Sequence, residues 1–210
     1  MNQAKLSYLT RRLFLRRTGL VASAGCFASL VPCSVIGREG QAAPSNRINL
    51  GCIGLGIQGT GNMKTFLGHP EVRVASVCDV HETQRAAGKK AVDAFYSNQD
   101  CGAYQDFREL IRQPGLDAIQ ITAPDHWHAL IAVEAARHGK HMYYEKPMGW
   151  SFRAAQAVRK TVQDHKVVFQ FGTQQRSGGN FRYVCELVRS GKIGQLKTIL
   201  VGVPGSVPVP

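Results

Sequence analysis

The sequence predicts an α/β fold: a doubly wound parallel sheet with helices on both faces. Three observations carry this prediction. Short apolar runs rich in β-branched residues alternate with amphipathic segments from Ile48 to Phe171, the pattern of βαβ units with right-handed crossovers. The first run breaks into Gly54-Leu55-Gly56-Ile57-Gln58-Gly59, a glycine-rich turn at the first strand-to-helix connection. Polar residues gather where the runs end, the edge at which open α/β sheets bind ligands.

The elements follow in order. Ile48 to Ile53 is the first strand. A helix after Gly59 carries Met63, Phe66 and Leu67 on one face and stops at Gly68-His69-Pro70. Val72 to Cys78 is the second strand, and a long helix follows with Ala87, Ala91 and Phe95 as its expected stripe. A third strand lies near Tyr104, then a short helix marked by Phe107, Leu110 and Ile111. Ala118 to Thr122 is the fourth strand; Ala129, Ala132, Val133 and Ala136 form the stripe of the next helix. Lys140 to Tyr144 is the fifth strand, Ser151 the N-cap of a helix reaching Asp164, and Val167 to Phe171 the sixth strand. Phe181, Val184, Cys185 and Val188 mark a last helix, with a stripe expected to pack in the ordinary way, and Lys197 to Val203 reads as a further strand.

Composition sets the bounds. The chain has 210 residues, 44% of them hydrophobic, so a sizeable core is possible. The net charge of +12 is uneven: residues 1–43 hold six Lys/Arg and one acid. The remaining positive charge forms no basic helix or aromatic–basic motif, which argues against nucleic-acid binding; an anionic cofactor accounts for it equally well. Within residues 1–43, Thr10-Arg11-Arg12-Leu13-Phe14-Leu15-Arg16 precedes a mildly apolar run to Ile36, the layout of a twin-arginine (Tat) secretory signal. The expected partner is the Tat export machinery and the expected destination the periplasm. Cleavage is expected at Gly40-Gln41-Ala42; an uncleaved membrane-anchoring segment and a lipoprotein site at Cys26 are the alternatives. Of six cysteines, Cys26 and Cys33 lie in this segment, and Cys52 and Cys78 are expected in the core. No C-x-x-C pair exists, so no zinc or redox site is expected.

The strand ends carry the chemistry. In the first turn Gly54 permits the tight bend, Gly56 the approach of a pyrophosphate, and Gly59 close packing of the helix, whose N-terminus presents free N–H groups. Gly54, Leu55, Gly56, Ile57, Gln58 and Gly59 are therefore the candidate dinucleotide cradle. Asp79 ends the second strand, 20 residues after Gly59, where a carboxylate accepts hydrogen bonds from an adenosine ribose diol. This favours NAD, with NADP left open by His81 and Arg85 nearby; the other reading of Asp79 is a helix cap. After the fourth strand come Thr122, Ala123, Pro124, Asp125, His126, Trp127 and His128. Pro124 stiffens a turn that can line the cofactor, Asp125 is a candidate cap, and the two histidines have no partner that would make a metal site. Glu145-Lys146-Pro147 closes the fifth strand. Lys146 can polarise a substrate hydroxyl during hydride transfer, or can be a surface lysine paired with Glu145. Gln174-Gln175-Arg176 adds donors at the same edge or faces water.

Taken together, these motifs resemble the glucose–fructose oxidoreductase/inositol dehydrogenase (Gfo/Idh/MocA) family. The resemblance rests on the glycine turn, Asp79, the Ala123-Pro124-Asp125-His126-Trp127-His128 segment, Glu145-Lys146-Pro147 and Gln174-Gln175-Arg176. It implies an N-terminal Rossmann domain, here residues 44–173 after the signal segment 1–43, and a substrate domain of which 174–210 is the start. It implies NAD(P)-dependent hydride transfer on a sugar, inositol or related polyol, and a Lys146–Pro147 bond that is often cis. Lys146 and His128 would be the catalytic residues. Thr122, Ala123, Pro124, His128, Glu145, Lys146 and Gln174 would join the cradle and Asp79 at the cofactor. The family's substrate domain runs further, so the sequence reads as truncated and expected to bind NAD(H) with little turnover. Two other functions stay open: a non-catalytic nucleotide-binding module that pairs with another chain or with its own copy, and an NAD-dependent redox-assisted glycosidase.

Overall fold

The computed structural model describes residues 46–202. The signal-like segment, Cys26, Cys33 and residues 203–210 lie outside them. Six strands form one sheet: β1 Ile48–Ile53, β2 Val72–Cys78, β3 Gly102–Tyr104, β4 Ala118–Ile121, β5 His141–Glu145 and β6 Phe169–Gly172. Their spatial order is β3-β2-β1-β4-β5-β6, and every pairing is parallel. The order reverses between β1 and β4, which leaves a crevice beyond their carboxyl ends. The helices are α1 Ile57–Leu67, α2 Glu82–Tyr96, α3 Phe107–Ile111, α4 Asp125–Arg137, α5 Phe152–His165 and α6 Gly179–Arg189.

Each face of the sheet has its own core. On one, Leu50 and Cys52 of β1 meet Met63 and Leu67 of α1, Val92 of α2, and Val74 and Val77 of β2. On the other, Ile53, Ile119, Ile121 and Tyr144 meet Leu110 and Ile111 of α3, Ile131 and three alanines of α4, and Val158 of α5. The split follows the two-residue period of β1: alternate side chains go to opposite faces. Each fully buried aliphatic side chain contributes about 1.5–3 kcal/mol. Cys52 and Cys78 are core residues as expected. Ser151 caps α5, its hydroxyl accepting the Ala154 N–H at 3.2 Å.

Several local expectations are corrected. In α2 the inward face is Gly88 and Val92, with Ala91 half-buried, while Ala87 and Phe95 are exposed. Gly88 lies so close to Leu55 that a Cβ there would stand 2.6 Å from Leu55 Cδ1, and this contact rotates the helix away from its alanine stripe. Asp125 does not cap α4: Pro124 holds the N-cap position, and Asp125 is the first helical residue. Residues 197–202 form no strand, since no described strand lies beside them to supply hydrogen bonds. The stripe on α6 is not packed: Phe181 and Val184 are 54% and 57% exposed, Cys185 is exposed, Val188 is half-buried, and no residue of that helix is buried.

Candidate functional site

The crevice at the β1/β4 switch point is a cleft of about 590 Å³, within the usual size of a small-molecule site. Gly54, Asp79, Val80, Phe107, Trp127 and Pro124 are among its lining residues. The glycine turn forms one wall. Gly54 has φ +85°, and a Cβ there would lie 2.4 Å from the Thr122 carbonyl oxygen; only glycine fits both the dihedral and the contact. A Cβ on Gly59 would come 1.9 Å from the Gly54 oxygen, whereas one on Gly56 would meet nothing within 4 Å. The turn is thus jammed against β4 on one side and open on the other. α1 begins there with no side-chain cap and no acidic residue in its first turn. Its amide groups and dipole are left for an anion. A dinucleotide pyrophosphate fits this cradle.

Asp79 is built into the same wall. Its Oδ2 accepts the Leu55 N–H at 2.7 Å and its Oδ1 the His81 N–H at 2.9 Å. His81, not Asp79, is the N-cap of α2. Each carboxylate oxygen keeps a further lone pair for a ribose hydroxyl. Arg85 donates from Nη1 to the Asp79 backbone oxygen at 2.7 Å, so its guanidinium is tied to the loop. Arg108, over the Phe107 ring at 4.4 Å from its centroid, also lines the cleft. Cys78 lines it too, but burial first, then the Asp79 and Asp106 carboxylates, push its thiol up to about 12. It is not a nucleophile at neutral pH.

Sequence reasoning missed three residues that hold this edge together. Gln120, fully buried in β4, donates from Nε2 to the Gly59 carbonyl at 3.0 Å and to the Thr122 hydroxyl at 3.1 Å. A glutamine inside an apolar strand was the available signal. Asn62 of α1 donates from Nδ2 to Glu145 Oε1 at 2.9 Å, and the Tyr143 hydroxyl approaches the same oxygen at 3.3 Å. Nothing in the spacing of Asn62 and Glu145 announces that contact, 83 residues apart.

The expected residues of the β4 and β5 ends come together at one edge of the sheet. His128 is 1% exposed. Its Nε2 lies 2.6 Å from the Ala123 carbonyl and its Nδ1 3.0 Å from the Pro147 carbonyl. His128 therefore sits between two backbone turns, and its neutral imidazole, with one N–H, donates to one of these carbonyls in a given tautomer. Glu145 is also 1% exposed and accepts the Lys146 backbone N–H at 3.2 Å through Oε2. The expected alternative, a Glu145–Lys146 ion pair, does not form. The Lys146 side chain is exposed, with no hydrogen bond or ion pair among the described residues. The Lys146–Pro147 bond is cis. Gln174 opens an exposed 3₁₀ turn directly after β6, at the same edge of the sheet.

Comparison with known proteins agrees with this architecture. An uncharacterized oxidoreductase of Bacillus subtilis is 29% identical over 150 residues, covering 71% of this chain and 42% of its own length. A glycosyl hydrolase family 109 protein of Shewanella pealeana is 26% identical over 210 residues, covering 90% of this chain and 44% of its own length. Among solved structures, scyllo-inositol dehydrogenase from Lactobacillus casei with bound NAD(H) and scyllo-inositol superposes with a TM-score of 0.62 at 25% identity, covering 70% of this chain and 42% of that one. The chain thus spans under half the length of the relatives it matches. Residues 48–173 match the family model described as an oxidoreductase family with an NAD-binding Rossmann fold. With the glycine cradle, Asp79 and the β1/β4 cleft in place, this chain belongs to that Gfo/Idh/MocA oxidoreductase family and carries its NAD-binding Rossmann fold.

Proposed function

We propose that this chain is the NAD-binding part of an oxidoreductase that transfers hydride to or from a sugar, inositol or related polyol. The observation that carries the reading is the exposed, unpaired Lys146 ammonium at the end of β5, on the same sheet edge as the cofactor cleft. Bound NAD supplies the hydride acceptor. The chain's own groups do the rest. The α1 amides and dipole hold the pyrophosphate, with Leu55, Gly56, Ile57 and Gln58 forming the approach. Asp79 takes the adenosine ribose diol and disfavours a 2′-phosphate. Thr122, Ala123 and Pro124 line the turn beyond β4. Lys146 donates a hydrogen bond to the hydroxyl or carbonyl oxygen of the reacting carbon, which stabilises charge on that oxygen as hydride moves. Gln174 adds an amide at the same edge. Scyllo-inositol in a structural neighbour supports the polyol class.

A second reading is redox-assisted glycoside cleavage, favoured by the glycosyl hydrolase family 109 match over 90% of the chain. It uses the same cofactor edge. Tat-dependent export to the periplasm, read from Arg11-Arg12 and the apolar run behind them, is part of the proposal. The folded chain is expected to bind NADH. Titration of the folded chain with NADH, followed by nicotinamide fluorescence, tests the core of the reading; no binding by a folded sample defeats it. Addition of the remaining length of a relative then separates the two chemistries. NADH formation from a free polyol supports the first reading, and release of sugar from a glycoside without net NADH supports the second.

A further inference from the structure

The geometry points to Glu145 as a positioning residue: its carboxylate fixes the backbone of Lys146 to the helix that starts at the glycine turn, and so fixes where the Lys146 ammonium meets the nicotinamide end of the cofactor. The inference rests on the part given to Lys146 above. Glu145 is 1% exposed and has no cationic partner among the described residues. A buried carboxylate is tolerated only when hydrogen bonds replace its lost hydration. Here three neutral donors do so: Asn62 Nδ2 at 2.9 Å, the Tyr143 hydroxyl at 3.3 Å and the Lys146 backbone N–H at 3.2 Å. Asn62 lies in α1, three residues past Gly59 and so within one helical turn of the glycine turn, and Lys146 follows β5. The carboxylate therefore joins the element that holds the pyrophosphate to the residue that faces the reacting carbon.

The two residues after Lys146 are held in the same way. His128 reaches the Pro147 carbonyl at 3.0 Å, and the Tyr144 hydroxyl donates to the Met148 carbonyl at 2.8 Å. The backbone of three successive residues of this loop thus lies within reach of buried polar side chains, while the Lys146 side chain is left free. A fixed backbone beneath a free ammonium is the arrangement expected where one group must be presented in a set position. Glu145 does this without touching the reacting atoms.

The test compares NADH with ADP-ribose, which shares the adenosine, pyrophosphate and second ribose but lacks nicotinamide. Affinities are measured on the full 210-residue chain for wild type, Glu145→Gln, Asn62→Ala and Lys146→Ala. Glu145→Gln keeps the shape but sets an NH₂ against one of the donors. It is expected to weaken NADH about tenfold while leaving ADP-ribose within about twofold. Asn62→Ala, which removes one donor and leaves the buried carboxylate in place, is expected to shift the same ratio about threefold; it carries the test if Glu145→Gln fails to fold. Equal loss for both ligands, or no loss for either, overturns the inference, because a group that only holds the fold does not distinguish the nicotinamide half. If Lys146→Ala leaves the NADH/ADP-ribose ratio at the wild-type value, the placement of Lys146 fails and the inference falls with it. If Lys146→Ala shifts the ratio and neither Glu145→Gln nor Asn62→Ala does, the inference fails alone.

Discussion

The Asp79 carboxylate accepts the Leu55 backbone N–H at 2.7 Å, so the acid that ends β2 is also a strut of the glycine turn. Leu55 in turn is buried against Gly88 of α2. The glycine turn and the Asp79 carboxylate are therefore one piece, joined by a single charged hydrogen bond. Asp79→Asn is expected to weaken NADH by ~1.5–3 kcal/mol, roughly 10- to 150-fold, because one oxygen becomes a donor facing backbone N–H groups. It also removes the charge that repels a 2′-phosphate, so the preference for NADH over NADPH should narrow. Parallel titrations with the two nucleotides check this, and an unchanged ratio refutes it.

The two sides of the glycine turn should respond differently to a methyl group. At Gly59 a Cβ would meet the Gly54 backbone oxygen at 1.9 Å, and backbone cannot move aside cheaply. Gly59→Ala is expected to lower stability by ~3 kcal/mol, roughly 10 °C in the unfolding midpoint. Gly56 has φ −62° and ψ −173° and open space around it, so Gly56→Ala should fold normally. Its methyl group would stand where the pyrophosphate approaches, and NADH affinity should fall about tenfold. Thermal melts paired with NADH titrations separate the two outcomes.

Thiol reactivity should follow burial. Cys52, Cys78 and Cys101 are buried, and Cys185 is exposed. Desolvation is the largest cause raising all three buried thiols, to about 12 for Cys78 and about 11 for Cys101, with the Asp93 carboxylate adding to the latter. A raised thiol pKa means little thiolate at pH 8. Among the described cysteines, brief treatment of the native protein with iodoacetamide should label Cys185 alone, as read by peptide mass spectrometry. Denaturant should expose the other three.

A local acid limb is expected at the α2–β3 connection. Asp93 Oδ2 pairs with the Lys89 ammonium at 2.8 Å, and its Oδ1 accepts the Cys101 N–H at 3.1 Å. The Lys89 hydrogen bond first, then the Cys101 N–H, hold this carboxyl below its ordinary value. A depressed carboxyl stabilises the fold above its unfolded pKa and loses that contribution as pH falls through the folded pKa. The protein should therefore lose stability at this site as pH falls below about 4, while Asp93→Asn should flatten that part of the profile. Denaturation midpoints from pH 6 to pH 3 measure the difference; identical acid limbs for the two proteins would refute it.

The parallel sheet was legible because strands buried on both faces read as apolar runs, and helices between them carry a 3.6-residue stripe. The cradle was legible because Gly54 and Gly59 meet backbone demands that no other residue satisfies. The facing of α2 was not, since the choice between Ala87 and Gly88 depends on where Leu55 sits. The stripe on α6 shows the same limit: amphipathic spacing says that a face is suited to burial, not what covers it, and Phe181, Val184 and Cys185 are exposed.

By itself the sequence determined the order of elements, the glycine turn and the residues at each strand end, because these depend on local dihedrals and short-range periodicity. Tertiary structure decided what those residues do for one another. His128 lies between the Ala123 and Pro147 carbonyls, and Glu145 meets Asn62 across 83 residues and leaves the Lys146 ammonium unpaired. Such pairings are invisible in a linear pattern: a buried polar group takes whichever donor or acceptor the packed sheet brings within about 3 Å.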